Sequence, residues 1–362
     1  MSKKVVFVVQ GEGRGHLSQA LAMKTIVTEL NYKICKVYVG RNSQRKLPSY
    51  FTQSFSGLIS EFASPNFLID QDGKGIKVAK SLWHSFLNLP KYIYNSIWLA
   101  TGINRQSPDL VISFYEPLVG LSQIFKRIKA PIVTLAHQYL SLHPSFQMPK
   151  KPRFDKNGLK VLSYISQIGS SKVLALSFYE FEDCIEKKIT VVPPLLRDEV
   201  VGLNPETGDF YLVYLLNRGY ANDIIQWQKQ NPSYKLAVFW DNYEKPNEFN
   251  PQVNLWFYHL NAQKFLSKMS TCKALISTAG FESVSEALSL GKKVAVVPVK
   301  GHYEQKLNSF DVLETRAAFR NDEFEVDKIM LGLSKVEPPT IKTRDWIKSG
   351  NIKVKQVLSQ FD

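Results

Sequence analysis

The feature that most constrains this chain is a regular alternation of short apolar runs with longer segments of helical periodicity. Strands separated by helices predict parallel sheets, because the chain has to return to the same end of the sheet before the next parallel strand begins. In the first half of the 362 residues we predict strands over 5–9, 36–39, 109–113, 131–135, 173–176 and 190–192. In the second half we predict strands over 210–214, 236–240, 255–258, 274–277 and 294–297.

Each set of strands is long enough for a doubly wound α/β domain, and Pro193-Pro194 interrupts the chain between the two sets. We therefore predict a first domain over 1–194, a second over 195–342 and a C-terminal segment over 343–362. Ligands of such sheets bind at the carboxyl ends of the strands. The candidate residues are accordingly expected in a cleft, at strand ends.

A strand, a tight turn and a helix follow one another between residues 274 and 291. Small residues from Thr278 to Gly280 form the turn, and the helix is predicted to begin at Phe281 and to stop at Gly291. A helix start offers free N–H groups and the positive end of a dipole. The segment therefore predicts a phosphate-binding site.

Polar side chains on the predicted helix extend this site. The hydroxyls of Ser283 and Ser285 are possible donors to a phosphate. Glu286 lies one turn further on, three residues after Ser283 and on the same face. A carboxylate there suits the two hydroxyls of a ribose, so the segment predicts a nucleotide site.

This segment resembles the donor-binding motif of GT-B glycosyltransferases, especially the group of the lipid II-forming N-acetylglucosaminyltransferase. The resemblance implies two facing Rossmann-like domains, with the helix of 343–362 crossing back to the first one. It also implies inverting transfer from a UDP-sugar without a metal ion. The acceptor would be a glycan, a lipid-linked molecule or a small molecule, and a cell-envelope glycan is one such product.

The resemblance assigns further donor residues by motif. It places Glu304 and Gln305 at the sugar and Asn308 three residues later, and it puts the strand end at Tyr258 and His259 beside the uracil. It places Arg197 near the nucleotide, although Pro193 replaces the Asn of the family's Asn-Pro-Val-Arg sequence. With Thr278, Gly280, Phe281, Ser283 and Glu286, these are the expected donor-binding residues.

A glycine-rich loop, Gly11, Gly13 and Gly15, follows the first strand and precedes His16. A dinucleotide-binding loop would carry glycine where this chain has His16, so the loop is weak evidence for such a site. In the resembled enzymes the loop faces the acceptor, and its histidine is the proposed general base. A histidine is suited to accept a proton near neutral pH. The alternative is that His16 caps the helix or packs structurally.

Two other strand ends carry polar residues, Glu116 after one strand and His137-Gln138 after another. They are similar to signatures of one glycosyltransferase branch, except that Phe114 and Ala136 stand where acids are expected. Glu116 is therefore the expected partner that orients a catalytic base, or else a solvated carboxylate in a turn. His137 is expected to face the acceptor.

Three functions remain open from the sequence. The first is a glycosyltransferase that uses a UDP-sugar, with Glu116 and His16 as catalytic residues and no cofactor or metal ion. The second is a sugar-nucleotide epimerase of the same fold, although few acids or bases suited to elimination are present. The third is a non-catalytic nucleotide-sugar binder, or a nicotinamide oxidoreductase built on the first loop.

The net charge of +14 is unevenly distributed. Nine Lys or Arg stand against one acid between residues 123 and 172, and no nucleic-acid-binding motif accompanies them. Aromatic residues are mixed with lysines over 76–103, which suits either packed amphipathic helices or a lipid surface. We therefore expect an anionic membrane surface, and no nucleic acid, as a partner.

The expected location is the cytoplasm, with peripheral binding to the inner face of its membrane. No apolar run reaches the length of a membrane span, and the N-terminus shows no signal-peptide pattern. The three cysteines have no metal-binding spacing and suit a reducing compartment.

Overall fold

A computed structural model describes residues 2–11, 14–41, 46–65, 88–148, 153–215, 218–242 and 244–361. The described residues fall into two compact units. The first holds those up to Arg197 together with those from 349 onward, and the second holds those from Asp198 to Lys348.

The first unit is built on a parallel sheet, as the alternation predicts. Its described strands are β1 Lys3–Gln10, β2 Tyr32–Arg41, β3 Ile59–Ala63, β4 Leu110–Phe114, β5 Ile132–Ala136, β6 Lys172–Leu176 and β7 Ile189–Val192. Their order is β3-β2-β1-β4-β5-β6-β7, and neighbouring strands are parallel. Val5 to Val9 in β1 have no solvent exposure. β1 therefore lies in the core of this unit.

Helices cover both faces of this sheet, because the strand order reverses direction at β1 and parallel crossovers are right-handed. They are α1 Arg14–Glu29, α2 Ser49–Ser54, α3 Leu89–Gln106, α4 Pro117–Phe125 and α5 Arg153–Ser166. α3, α4 and α5 pack side by side. Among the described residues, no helix combines the length and the apolar content that crossing a bilayer requires.

The second unit contains another mainly parallel sheet. Its described strands are β8 Phe210–Leu215, β9 Lys235–Trp240, β10 Glu248–Gln252, β11 Leu255–His259, β12 Ala274–Ser277, β13 Lys293–Val296 and β14 Ala318–Arg320. Their order is β10-β11-β9-β8-β12-β13-β14. β10 pairs antiparallel with β11 through a turn in which Asn254 has a positive φ of 66°. This hairpin was not expected from the sequence.

The helices of the second unit complete the doubly wound arrangement. They are α6 Asp198–Val201, α7 Ala221–Gln230, α8 Ala262–Thr271, α9 Phe281–Ser289, α10 Tyr303–Asp311, α11 Val326–Lys335 and α12 Ile341–Lys348. The last helix of the chain, α13 Gly350–Leu358, belongs to the first unit and packs against α1. The C-terminal segment therefore consists of two helices separated at Ser349, where one was expected.

Candidate active site

The turn between β12 and α9 has an unusual backbone. Ala279 adopts a left-handed conformation with φ of 59°, which few residues other than glycine do. Nδ2 of Asn308 in α10 donates a hydrogen bond to the Ala279 carbonyl oxygen at 2.8 Å and holds this conformation. Gly280 is extended and precedes the first turn of α9. The free N–H groups of α9 are therefore presented at the carboxyl edge of the sheet.

Two polar atoms beside this turn are buried without a hydrogen-bond partner among the described residues. They are Oγ1 of Thr278 and Oδ1 of Asn308. Buried polar groups in proteins are nearly always satisfied, so the pair favours a polar ligand at the turn. The Thr278 hydroxyl can donate to a phosphate oxygen, and the Asn308 oxygen can accept from a ligand hydroxyl.

The side chains of α9 differ in burial and in their hydrogen bonds within the helix. Oγ of Ser283 donates to the Gly280 carbonyl oxygen at 3.2 Å and lies 3.4 Å from Oγ of Ser277. Ser285 is fully buried, and its hydroxyl donates to the Phe281 carbonyl oxygen at 2.8 Å. The expectation that Ser285 serves a phosphate is therefore wrong, because its hydroxyl is fully buried inside the helix, whereas Ser283 is partly exposed. Glu286 is buried one turn after the helix start.

Residues at the start of α10 bind the loops around the turn. His302 caps the helix, because its Nδ1 accepts a hydrogen bond from the backbone N–H of Gln305 at 3.4 Å. Oε1 of Gln305 accepts from the Val299 N–H at 2.8 Å, which fixes the loop after β13. Glu304 is partly exposed beside this cap. The side-chain oxygen of Gln305 is thus engaged by the protein, whereas its side-chain nitrogen, Nε2, still has donor capacity.

Tyr258 and His259 end β11, which runs parallel to β9. The Lys264 ammonium lies 4.1 Å from the centre of the Tyr258 ring, and Nε2 of His259 lies 2.9 Å from the Lys245 carbonyl oxygen. Because the sheet is parallel from β11 to β12, these residues and the Thr278 turn lie at the same edge.

Arg197 is the last residue of the first unit in this region. Burial raises the pKa of the Tyr50 hydroxyl, and the positive charges of Arg14 and Arg197 oppose this effect. The nucleotide contact expected of Arg197 stays a prediction.

The glycine-rich loop begins at a close approach of two strands. The Gly11 N–H donates to the Gly40 carbonyl oxygen at 2.7 Å, and a Cβ on Gly11 would lie 2.6 Å from a Val39 methyl carbon. A larger residue is therefore excluded at Gly11 unless β2 moves. Gly15 lies in the first turn of α1, which begins at Arg14, whereas the apolar periodicity of the sequence predicts a helix from Leu17 to Leu30. Gly13 is outside the described residues.

His16 lies in that same turn and is surrounded by side chains from three elements. Its Nδ1 is 3.2 Å from Oε1 of Gln19 in α1. Its Nε2 is 3.4 Å from Nε2 of Gln138, which follows β5. The Tyr115 ring, after β4, stacks on the imidazole with a centroid distance of 5.7 Å. His16 is 9% exposed, so its ring is almost enclosed.

Glu116 does not orient His16. It caps α4, and its Oε1 accepts from the Leu118 N–H at 3.1 Å and from the Ser64 hydroxyl at 2.6 Å. Its Oε2 has no hydrogen-bond partner among the described residues and would lie 2.1 Å from a Cβ on Gly40. Complete burial raises the pKa of this carboxyl to about 8, so it is mostly protonated at neutral pH. The alternative of a solvated carboxylate is also wrong.

His137 is buried and begins a short 3₁₀ helix that ends at Leu142. Its ring lies 5.9 Å from that of Phe178, while the neighbouring Gln138 contacts His16. The sequence patterns indicate no role for Gln138, Gln19 or Tyr115. Gln19 could have been found, because residues three apart share a helix face.

No group of three or more His, Cys, Asp or Glu suited to a metal ion occurs within the part of the chain that the structure describes.

One family model and several solved structures are similar to this chain. The family model described as glycosyl transferase family 1 matches residues 3–335. The glycotransferase of kitacinnamycin has a similar structure, with a TM-score of 0.66, 13% identity, and coverage of 99% of this chain and 98% of that one. A search of curated proteins gives no significant sequence match.

Two further solved structures are similar over their full length. LpCGTa, in complex with UDP, has a TM-score of 0.63 and 14% identity, covering 100% of this chain and 99% of that one. Arabidopsis thaliana UGT89C1, complexed with quercetin, has a TM-score of 0.62 and 14% identity, covering 100% of both. These similarities confirm the predicted GT-B class of α/β fold.

Proposed function

The chain belongs to glycosyl transferase family 1, and from this we propose that it transfers a sugar from a UDP-sugar to an acceptor hydroxyl with inversion. The observation that carries the proposal is the turn at Thr278 to Gly280, where a buried hydroxyl without a partner lies at a helix start. The UDP complex of the similar LpCGTa supports uridine diphosphate as the nucleotide.

We assign the donor to the second unit. The diphosphate binds the N–H groups of α9 and the Thr278 and Ser283 hydroxyls, and the Glu286 carboxylate accepts both ribose hydroxyls. Tyr258 and His259 border the uracil, and Arg197, the residue directly before the second unit, assists at the nucleotide. The sugar contacts Glu304, Gln305 and Asn308, as in the resembled lipid II-forming group. The helix dipole and these donors stabilise the leaving diphosphate, so the transfer requires no metal ion.

We assign the acceptor to the first unit, beside the glycine-rich loop and His137. His16 takes the proton of the acceptor hydroxyl, whose oxygen attacks the anomeric carbon and displaces the diphosphate. A single displacement of this kind inverts the anomeric centre. The quercetin complex of the similar UGT89C1 supports a small hydroxylated acceptor, and the resembled group supports a lipid-linked glycan.

Glu286→Ala tests the donor site. We expect UDP affinity to fall roughly ten- to hundredfold, because a charged hydrogen-bond partner contributes about 1.5–3 kcal/mol. Isothermal calorimetry measures the affinity, and circular dichroism checks the fold. Glu314→Ala, at an exposed position of the same unit, is the matched control and should bind UDP normally. Unchanged affinity in a folded Glu286→Ala protein would contradict the assignment.

Assays of the wild-type protein distinguish the proposed function from its alternatives. A transferase releases UDP from a UDP-sugar in proportion to an added hydroxyl acceptor. A changed donor sugar without acceptor would indicate an epimerase instead. Binding with neither reaction would indicate a non-catalytic binder.

We also propose that the face formed by α3, α4 and α5 docks on an anionic lipid surface. α3 turns Tyr92, Leu99 and Ile103 inward. Outward-facing apolar side chains across the three helices are Leu89, Tyr94, Ile97, Trp98, Ile124, Phe125, Val161 and Tyr164. Thus α3 packs on the sheet, as the expectation of a packed amphipathic helix requires, and still presents an apolar surface whose contact with lipid stays a proposal. Trp83, expected to belong to this surface, lies outside the described residues.

Basic residues accompany these apolar side chains. They are Lys91, Arg105, Lys126, Arg127, Lys129, Lys156 and Lys160. Burial lowers the pKa of Lys160, and the neighbouring charges of Lys156 and Lys187 lower it further. Such crowding of positive charge attracts anionic headgroups, and the apolar side chains can enter the bilayer interface.

The double variant Arg127→Gln with Lys129→Gln should bind anionic vesicles roughly thirtyfold less well, since each cation near the surface contributes about 1 kcal/mol. Co-sedimentation with phosphatidylserine vesicles at low and high salt measures this binding, and salt should release the wild type. Leu331→Ser, at an exposed apolar position of the second unit, is the control. Absence of wild-type binding at low salt would refute the proposed surface.

A further inference from the structure

We infer that Gln138 is a positioning residue that, together with Gln19, holds His16 as the tautomer with the proton on Nδ1 and the lone pair on Nε2. The inference deepens the proposed function, because it states which nitrogen of His16 accepts the proton and what selects it. The two glutamines lie 119 positions apart and reach the ring from α1 and from the 3₁₀ helix after β5.

The chemistry of the two amides fixes the tautomer. An amide nitrogen only donates, so Nε2 of Gln138, at 3.4 Å, requires His16 Nε2 to be the acceptor. An amide oxygen only accepts, so Oε1 of Gln19, at 3.2 Å, requires His16 Nδ1 to carry the hydrogen. A neutral imidazole has one nitrogen of each kind. Both contacts therefore select the same form.

Neighbouring groups hold the ring and Gln138 together. Tyr115, which stacks on the imidazole, has a left-handed backbone with φ of 57°, a strain that surrounding contacts have to maintain. The Tyr115 hydroxyl lies 2.8 Å from Oγ of Ser163, and that serine donates to the backbone carbonyl oxygen of Gln138 at 3.3 Å. One buried serine thus links the residue that stacks on His16 with the residue that contacts Nε2.

The arrangement also suits the proton transfer. The contact between Gln138 and Nε2 is long, so an arriving acceptor hydroxyl can replace it at little cost. The acceptor O–H bond breaks, the proton binds Nε2, and the electron pair stays on the attacking oxygen. Oε1 of Gln138 is buried without a partner among the described residues. Rotation of the amide would turn this oxygen toward the new Nε2–H.

The tautomer can be measured without any assay of activity. In protein labelled with ¹⁵N at its six histidines, two-bond proton–nitrogen correlations distinguish the two forms. His16→Gln identifies the His16 signals by their loss. We expect the protonated nitrogen to be Nδ1 in the wild type and a mixture of tautomers in Gln138→Leu. A proton on Nε2 in the wild type, or an unchanged pattern in Gln138→Leu, would overturn the inference.

Kinetics provide a second readout. Gln138→Leu should lower kcat about three- to tenfold with little change in the KM for the donor, as expected for one lost hydrogen bond. Gln138→Glu places a carboxylate beside the imidazole, which favours its protonated form. The acidic limb of the pH–kcat profile should therefore move to higher pH by about one unit.

An acidic limb of the pH–kcat profile at the wild-type pH in Gln138→Glu would count against the positioning role. Gln53→Leu, an exposed glutamine of α2, is the matched control and should behave as wild type. If no transferase activity is found, the proposed function fails, but the tautomer experiment still decides the inference.

Discussion

Replacement of His16 by alanine is expected to lower turnover by about 10²- to 10⁴-fold while leaving the affinity for UDP unchanged. General-base assistance typically contributes a factor of this size. The imidazole is nearly enclosed and contacts Gln19 and Gln138 of the first unit, whereas the proposed UDP residues at α9 lie in the second. Single-turnover rates with saturating UDP-sugar, together with calorimetry of UDP, measure the two effects separately.

His16→Gln serves as a second variant, because it keeps a polar side chain of similar length but has no basic nitrogen. It should lose about as much turnover as His16→Ala. If either folded variant retains turnover within a few-fold of wild type, His16 is not the base. Nuclear magnetic resonance of the product gives its anomeric configuration. Retention of the donor configuration would exclude the single displacement.

Glu116→Gln is expected to remove a pH dependence of stability from the protein. In the folded chain the pKa of Glu116 is raised to about 8 by burial, whereas an unfolded carboxyl has its ordinary value near 4.5. The folded state therefore binds one proton more than the unfolded state between these pH values. The contribution of Glu116 to stability is full below about pH 4.5 and is lost as pH rises toward about 8.

Glutamine resembles the protonated acid and does not ionise. The free energy of unfolding of the wild type should therefore fall relative to that of Glu116→Gln by up to about 1.4 kcal/mol per pH unit between about pH 5 and 8. Urea unfolding of both proteins at several pH values gives this difference. Glu314→Gln, at an exposed position, should show no such trend. A difference independent of pH would show that Glu116 is ionised in the folded protein.

The burial of Glu116 also bears on the catalytic assignment. A carboxyl that is mostly protonated at neutral pH and caps α4 through Leu118 cannot act as the carboxylate that orients a histidine. Two neutral amides, Gln19 and Gln138, contact the ring nitrogens instead. Glu116 is therefore not the orienting group, and His16 remains the proposed base.

Local sequence patterns predicted much of the fold. The apolar runs of β1, β4, β5 and β12 are short and strongly buried, and each is bounded by turn residues. The small residues before Phe281 and the glycine at 291 mark the ends of α9 and its cap. These features depend on neighbours within a few residues, so they can be read from the sequence alone.

The strands that the sequence did not predict have weaker local signals. β3, β10 and β14 lie at or near sheet edges, and β10 carries Glu248, Asn250 and Pro251. Their partners in the sheet stabilise them, because an isolated segment of this composition has little preference for a strand. The start of α1 at Arg14 was likewise missed, since glycine on both sides lowers helix propensity.

The sequence by itself determined the class of fold and the positions of the turn at Thr278 to Gly280 and of His16 at the end of the glycine-rich loop. Only the tertiary structure decided what these residues contact. Gln138 reaches His16 across 122 positions because β1, β4 and β5 are neighbours in the sheet, and Ser64 meets Glu116 across 52. Hydrophobic periodicity is a local property of the chain, whereas burial and hydrogen-bond partners depend on the order in which distant strands assemble.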